Sequence, residues 1–312
     1  YGCDVDNIIT RKYHGYEIDE SKPVLISTWQ SLYKLPKEFF AQFGAVIGDE
    51  AHLFKAVSLT KIMTKLVDCP WRIGMTGTLD GSKTHKLVLE GLFGSVMQVA
   101  KTSKLIEKKQ LANLKVYCLV LKYLDGTAKK LSGVKYHEEL EHLVTDETRN
   151  KFIRNLSLDL QGNSLILFQL VEKHGKELYK MIKEKAGNDK QVFFVYGGVN
   201  AEQREKVREI TEKSDNAIIV ASYGTFSTGI NIRNLHNLVF ASPSKSRIRN
   251  LQSIGRGLRM GDNKSQATLY DIADDLTHRD KKNYTLGHFQ ERINIYNEEG
   301  FAYEIHNVNL KA

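Results

Sequence analysis

Asp49 and Glu50 stand side by side at the end of a short apolar run, Ala45-Val46-Ile47, with His52 two residues further on. Such a run reads as a buried strand, and in open α/β sheets ligands bind beyond the carboxyl ends of the strands. An Asp in that position can hold Mg²⁺ on a nucleotide's phosphates, and the adjacent Glu can orient or deprotonate an attacking water. A strand followed by a chance acidic turn would look the same over these residues alone. Far along the chain, Gln252, Arg256 and Arg259 recur at i, i+4 and i+7, which predicts one face of a helix. Guanidiniums so placed suit recognition of a γ-phosphate and of charge developing in a transition state; a solvated stripe is the plainer alternative. Gly255 and Gly257 cost a helix about 1 kcal/mol each against Ala, so a close backbone approach is expected to keep them there. The stretch 222–231 pairs hydroxyls with glycines, a composition for gripping a nucleic-acid phosphate with main chain and side chain together. Thr28 and Gln30, after an apolar run at 23–27, could touch a phosphate in the same way, although a helix cap accounts for Thr28 more simply.

Strands that alternate with helices must position these groups. Apolar runs at 23–27, 45–47 and 71–75 read as strands, with a helix over about 55–66 between the last two. Residues 101–109 are basic and helical and read as a connection. A second series follows, with strands at 114–121, 164–168, 191–196, 217–222, 236–241 and 267–272. Helical spacing covers 136–160, 172–186, 201–213, 248–259 and 289–297, and 122–135 reads as a surface loop. Residues 223–231 read as a glycine-spaced turn. Alternation at this pitch means parallel βαβ units. One stretch imitates a phosphate loop: Gly77-Thr78-Leu79-Asp80-Gly81-Ser82-Lys83-Thr84. Its second glycine comes one residue early and is separated from the lysine, so the amides would not curl around a phosphate in register.

At 312 residues two domains are expected, each large enough for its own core. Forty-five basic against 37 acidic residues leave a net charge of +8, which suits a polyanionic partner or a lysine-rich solvated surface. Three scattered cysteines without a Cys-x-x-Cys argue against a disulfide framework or a zinc site and fit a reduced, cytoplasmic compartment. No apolar run approaches membrane-spanning length, so no membrane partner is expected.

Taken in order, Asp49-Glu50-Ala51-His52, Thr76-Gly77-Thr78, the stretch 222–231 and Gln252-x-x-Gly255-Arg256-x-x-Arg259 resemble motifs II (of DEAH type), III, V and VI of the superfamily 2 helicases. Ser27-Thr28-Trp29-Gln30-Ser31 and Thr102-Ser103-Lys104-Leu105 further resemble the recombination helicases of T4-like phages. The resemblance runs from about Ile18 to the end of the chain. It implies an α/β fold of two RecA-like parallel-sheet lobes, the first (1–100) incomplete at its N-terminus, a linker at 101–113 and a second lobe at 114–312. It implies ATP and Mg²⁺ as cofactors and translocation on forked, branched or RNA–DNA hybrid substrates, with recombination or single-strand-binding proteins as partners.

By the same resemblance Asp49 holds the metal, Glu50 is the catalytic base and His52 couples the lobes beside the nucleotide. Thr76 and Thr78 link hydrolysis to motion, and Arg256 and Arg259 act as arginine fingers. Gly229, Asn231 and Gln252 face the nucleotide, while Thr28, Gln30, Ser222 and Thr228 touch the DNA backbone. Motif V often ends in Asp where this chain has Asn231. A Gly-Lys-Thr phosphate loop is absent from these residues and is expected upstream of Tyr1. Two alternatives stay open: a double-strand translocase of the restriction or remodelling kind, and a nucleic-acid-binding module that hydrolyses nothing.

Overall fold

The computed structural model describes residues 5–12, 17–79, 81–229, 232–261 and 264–310, leaving aside the side chains of Asp6 and of residues 227–229. The chain divides into two compact units, Tyr1–Gln98 and Val99–Ala312.

In the first unit a short helix α1 (Val5–Ile8) leads into β1 (Ile9–Lys12), which pairs in parallel with β2 (Val24–Ser27). Helices α2 (Trp29–Leu32) and α3 (Lys37–Phe40) precede β3 (Ala45–Gly48). A 3₁₀ turn (Ala51–Lys55) and α4 (Val57–Lys65) connect β3 to β4 (Trp71–Gly74), its parallel partner, and α5 (Lys83–Phe93) follows. Alternation of side chains sends Val46 toward a core built from Phe40, Phe54, Leu59, Ile62, Met63 and Leu89. The opposite set stays in the open: Ile47 is 64% exposed, Trp71 69% and Ile73 48%. The end of the stretch resembling a phosphate loop, Ser82 to Thr84, is a helix start: Ser82 caps α5 by accepting from the His85 amide at 3.3 Å.

The second unit begins with α6 (Thr102–Glu107), whose Ile106 packs on that unit's core and whose Thr102 donates to Glu299 at 3.1 Å. β5 (Asn113–Lys122), α7 (Asp125–Leu131), α8 (Tyr136–Thr145) and α9 (Glu147–Asp159) come next. The loop expected over 122–135 therefore holds a helix, α7, across half of its length. Its glycines weaken helix propensity, but buried Ala128 seats the turn against the fold. Then come β6 (Ser164–Phe168), a π-helical turn at Val171–Gly175, α10 (Lys176–Ala186), β7 (Val192–Val195), α11 (Ala201–Lys213) and β8 (Ile218–Ser222). The chain continues through α12 (Tyr223–Gly229), β9 (Asn237–Phe240), α13 (Arg247–Gly257), β10 (Gln266–Asp275), α14 (Tyr284–Glu299) and β11 (Tyr303–Asn309).

Seven strands form one sheet in the order β11-β5-β10-β9-β6-β8-β7, and every pairing is parallel. Every residue of β6, β8 and β9 is buried, as a sheet covered on both faces requires. Tyr223, Phe226, Ile254, Leu258, Phe289 and Tyr296 from α12 to α14 join the core on one face. Ile153, Leu178 and Ile182 from α9 and α10 join the core on the other. Both ends of β10 run past the expected 267–272, and β10 buries a carboxylate toward each core, held by a buried arginine. Arg149 binds Asp274 at 2.7 and 3.0 Å, and Arg292 binds Asp271 at 2.8 Å.

Candidate functional sites

The first site is assembled where β3 and β4 end. Gly48 closes β3 on an aromatic pair, Phe54 and Phe93, whose ring centroids lie 5.0 Å apart; a Cβ at Gly48 would sit 2.8 Å from the Phe54 ring. The strand then presents Asp49, which is exposed, and Glu50, which is half-buried. Glu50 occupies the left-handed region at φ 49, uncommon for a residue with a Cβ. Two backbone bonds fix that conformation between the strand ends: Met75 N donates to Gly48 O, and Ala51 N to Met75 O, both at 2.8 Å. The Asp49 carboxylate receives the Glu50 amide at 2.8 Å.

His52 is 4% exposed and links the two predicted motifs of this unit. Its Nδ1 lies 3.2 Å from Glu50 Oε2 and 2.8 Å from Thr76 Oγ1. Thr76 Oγ1 in turn donates to Thr78 O at 2.9 Å and receives the Thr78 amide at 3.3 Å. The His52 carbonyl meets His85 Nε2 at 2.9 Å, so α5 holds the histidine from behind. Glu50, His52, Thr76 and Thr78, the first and last 28 positions apart in sequence, thus form one chain of polar contacts at the carboxyl edge of two parallel strands. A displacement at Thr76 and a displacement of the Glu50 carboxylate share one imidazole. Thr28 stands at the N-cap of α2 without capping it, its hydroxyl 3.1 Å from Ser31 Oγ, and both Thr28 and Gln30 are exposed.

The second site lies at the carboxyl ends of β8 and β9. Residues 223–229, expected as a turn, form the helix α12. Ser222 Oγ receives the Thr225 amide at 3.4 Å and meets Thr225 Oγ1 at 2.8 Å, which caps the helix, while Tyr223 and Phe226 drive it into the core. Ser222 is 9% exposed and its hydroxyl is committed to that cap. Gly229 is the last residue of α12; the Thr228 side chain and Asn231 lie outside the described residues.

Ser246 caps α13 by accepting from the Arg249 amide at 3.3 Å. Gln252 and Arg256, both half-buried, share a face, and the Arg256 guanidinium stands 5.8 Å from the Phe226 ring centroid, tying α13 to α12. The expected single helical face stops short of Arg259. α13 ends at Gly257 with Leu258 as its C-cap, so Arg259 sits in the following turn. Of the two glycines, Gly257 meets the expected close approach, since a Cβ there would lie 2.3 Å from a Leu238 methyl on β9. Gly255 does not: a Cβ there would meet nothing within 4 Å.

Between β9 and α13, the segment 241–244 is gripped from several elements that no motif pointed to. Arg149 donates to Ala241 O at 2.9 Å, Arg292 to Ser244 O at 3.0 Å and Tyr223 Oη to Ser242 O at 3.2 Å. Buried His174 meets Ser242 Oγ at 2.9 Å, and its basicity is pushed well down by burial and by Arg149. The one sequence signal for this network was an acidic pair, Asp271 and Asp274, inside an otherwise apolar run.

Comparison with known proteins bears on this chain at two levels, family and fold. The Helicase conserved C-terminal domain family matches residues 147–261, and the family of the Type III restriction enzyme, res subunit, matches residues 2–81. The ATP-dependent DNA helicase uvsW of Enterobacteria phage T4 is 38% identical over 301 residues, 92% of this chain and 59% of that protein. The crystal structure of T4 UvsW superposes with a TM-score of 0.57 and 33% identity, over 98% of this chain and 63% of that one. The ATP-dependent Type ISP restriction-modification enzyme LlaBIII bound to DNA superposes with a TM-score of 0.64 over 93% of this chain and 23% of that one; at 18% identity this likeness is one of fold. The chain spans about three fifths of the length of the T4 protein.

Proposed function

We propose, since this chain belongs to the superfamily 2 helicases, that it carries the part of an ATP-dependent DNA helicase containing motifs II, III, V and VI. The substrates would be forked or branched DNA and RNA–DNA hybrids, as in R-loops and stalled forks. The observation that most supports this is the chain Glu50–His52–Thr76–Thr78, with the histidine buried between a carboxylate and a hydroxyl.

In this reading the Glu50 carboxylate orients the attacking water and takes its proton. His52 passes the state of that carboxylate to Thr76. Arg256 and Arg259 neutralise charge on the transferring phosphoryl group. Asp49 would hold Mg²⁺, which when bound supplies charge neutralisation at the phosphates. An exposed single carboxylate fits that cation, which takes one or two protein oxygens and completes its shell with phosphate and water. Among the described residues no group of three His, Cys, Asp or Glu side chains offers an all-protein cage instead. Hydrolysis also needs a lysine-bearing phosphate loop from outside these 312 residues. Gln252, Gly229 and Asn231 would face the nucleotide, and Thr28, Gln30 and Thr228 the DNA backbone. Ser222 would do so only through its backbone, because its hydroxyl is taken up in the α12 cap.

Glu50→Gln in the full-length protein tests this. ATP binding is expected to stay within about twofold while DNA-stimulated hydrolysis falls by about 10³-fold or more, because the base is removed and the metal ligand kept. Near-normal turnover would remove the assigned base, and absence of ATP hydrolysis in the unmodified protein would favour a pure binding module. The match of residues 2–81 to a restriction-enzyme family favours one second reading, a double-strand translocase. Triplex displacement without strand separation on a fork would select it.

A further inference from the structure

An α-helix ends in carbonyls that no amide of its own satisfies, and a cation placed there gains from their lone pairs and from the helix dipole. At the end of α13 that cation is Lys264, a buried side chain only 3% exposed. Its ammonium donates to Gly257 O, to Arg259 O at 3.0 Å and to Arg233 O at 3.3 Å, one carbonyl for each of its three N–H bonds. Two of these carbonyls belong to the end of α13, which carries Arg256, and to the turn after it, which carries Arg259. The third lies in the segment after α12, and that segment is anchored on its own account. The amides of Arg233 and Asn234 donate to the Glu212 carboxylate of α11 at 2.6 and 3.2 Å.

An ammonium taken out of water is costly unless fixed acceptors replace its hydration. Burial pushes Lys264 down to about 8, opposed by the Glu212 charge, so the cost is real. The acceptors are fixed. Gly257 is pressed on Leu238, and Leu258 O receives the Ala112 amide at 2.8 Å. Lys264 therefore cross-links two backbone segments that the sequence motifs treat separately.

Resting on the helicase reading above, we infer that Lys264 is a positioning residue for the arginine pair. Its ammonium fastens the turn from Gly257 to Arg259 onto the segment at Arg233, and so sets where the two guanidiniums stand during phosphoryl transfer.

Lys264→Met and Lys264→Arg test this with two readouts. In amide exchange on the 312-residue chain, Lys264→Met should lower protection of the Leu258 and Arg259 amides by about tenfold or more, leaving those of β6 unchanged. In the full-length protein it should lower kcat for DNA-stimulated ATP hydrolysis by about 10- to 100-fold, with KM for ATP within about twofold, as expected when a transition-state contact is misplaced rather than lost from the ground state. Lys264→Arg, which keeps the charge, should recover most of both. The inference is overturned by unchanged exchange at Leu258 and Arg259, by loss spread equally over β6, by a kcat fall matched by an equal KM rise, or by equal defects in the two variants. If the unmodified protein hydrolyses no ATP, the helicase reading falls, and the exchange experiment still decides whether Lys264 clamps the turn.

Discussion

β6 and β3 are both short, apolar, parallel strands, yet all five residues of β6 are buried while only Gly48 of the four in β3 is. The difference lies in what covers them. β6 sits mid-sheet with helices on both faces, whereas among the described residues β3 pairs only with β4, and its Ile47 side stands open. An apolar run thus announces a strand without announcing how many of its faces are filled. In the first unit the filled face is the one that matters for chemistry. Gly48, Phe54 and Phe93 seat the strand end from which Asp49 and Glu50 project, and His85 holds His52 in place. In the second unit the central strands β6, β8 and β9 are filled on both faces, and buried ion pairs lock the segment leading into α13.

The largest expected contrast is in backbone protection. Amides of β6, β8 and β9 should exchange at least about 10³-fold more slowly than those of β3 and β4 in the 312-residue chain, since opening the former disrupts a two-sided core. Hydrogen exchange resolved by segment measures this. Equal protection would mean that the open face of β3 and β4 is covered in solution, and the comparison would fail.

Single substitutions sharpen it next. Asp274→Ala leaves Arg149 buried without its carboxylate and strips the acceptor from Tyr123 Oη, which donates to Asp274 at 2.8 Å. Breaking one partner of a buried pair costs about 3–5 kcal/mol. Ile47→Thr, at an exposed position of the other unit, should change stability by no more than about 0.5 kcal/mol. Urea unfolding followed separately in the two units reads both. A small effect of Asp274→Ala would show that water reaches the pair.

How much of this was legible in the sequence follows the same division. The central strands of the second unit declared themselves as continuous apolar runs, and the motifs at 49–52, 76–78 and 252–259 stood out by residue type and spacing. α12 did not, because Tyr223-Gly224-Thr225-Phe226-Ser227 has the composition of a turn. Tertiary burial of Tyr223 and Phe226, together with the Ser222 cap, overrides that weak propensity. β10 was cut short at 272 because Asp274 and Asp275 read as the end of a strand; their partners, Arg149 on α9 and Lys122 on β5, are far away in sequence. β1 and β11 were missed for a related reason. Both are edge strands with charged or polar side chains, and half-exposed edges carry little apolar pattern.

The smallest expected effect concerns acid, and it belongs to the second unit through His174. The imidazole is buried between the π-helical turn and Ser242, its Nδ1 meeting the Ser242 hydroxyl and its Nε2 without a hydrogen-bond partner. Protonation would place a second N–H where no acceptor stands, beside the Arg149 charge, so the folded group stays neutral well below the usual histidine range. In the unfolded chain the same histidine takes a proton below about 6.5. The unfolded state therefore binds more protons in acid, and stability that is present above pH 6.5 is lost as pH falls. Each pH unit below about 6.5 removes up to about 1.4 kcal/mol until the folded histidine itself protonates. His236 and His288 are lowered mainly by burial too, and add in the same direction. Unfolding midpoints of the second unit measured from pH 7.5 to 5 should fall in wild type, and His174→Gln, which has no proton to take up, should show a shallower fall. An identical pH slope in the two proteins would remove His174 as the acid-sensitive point of the fold.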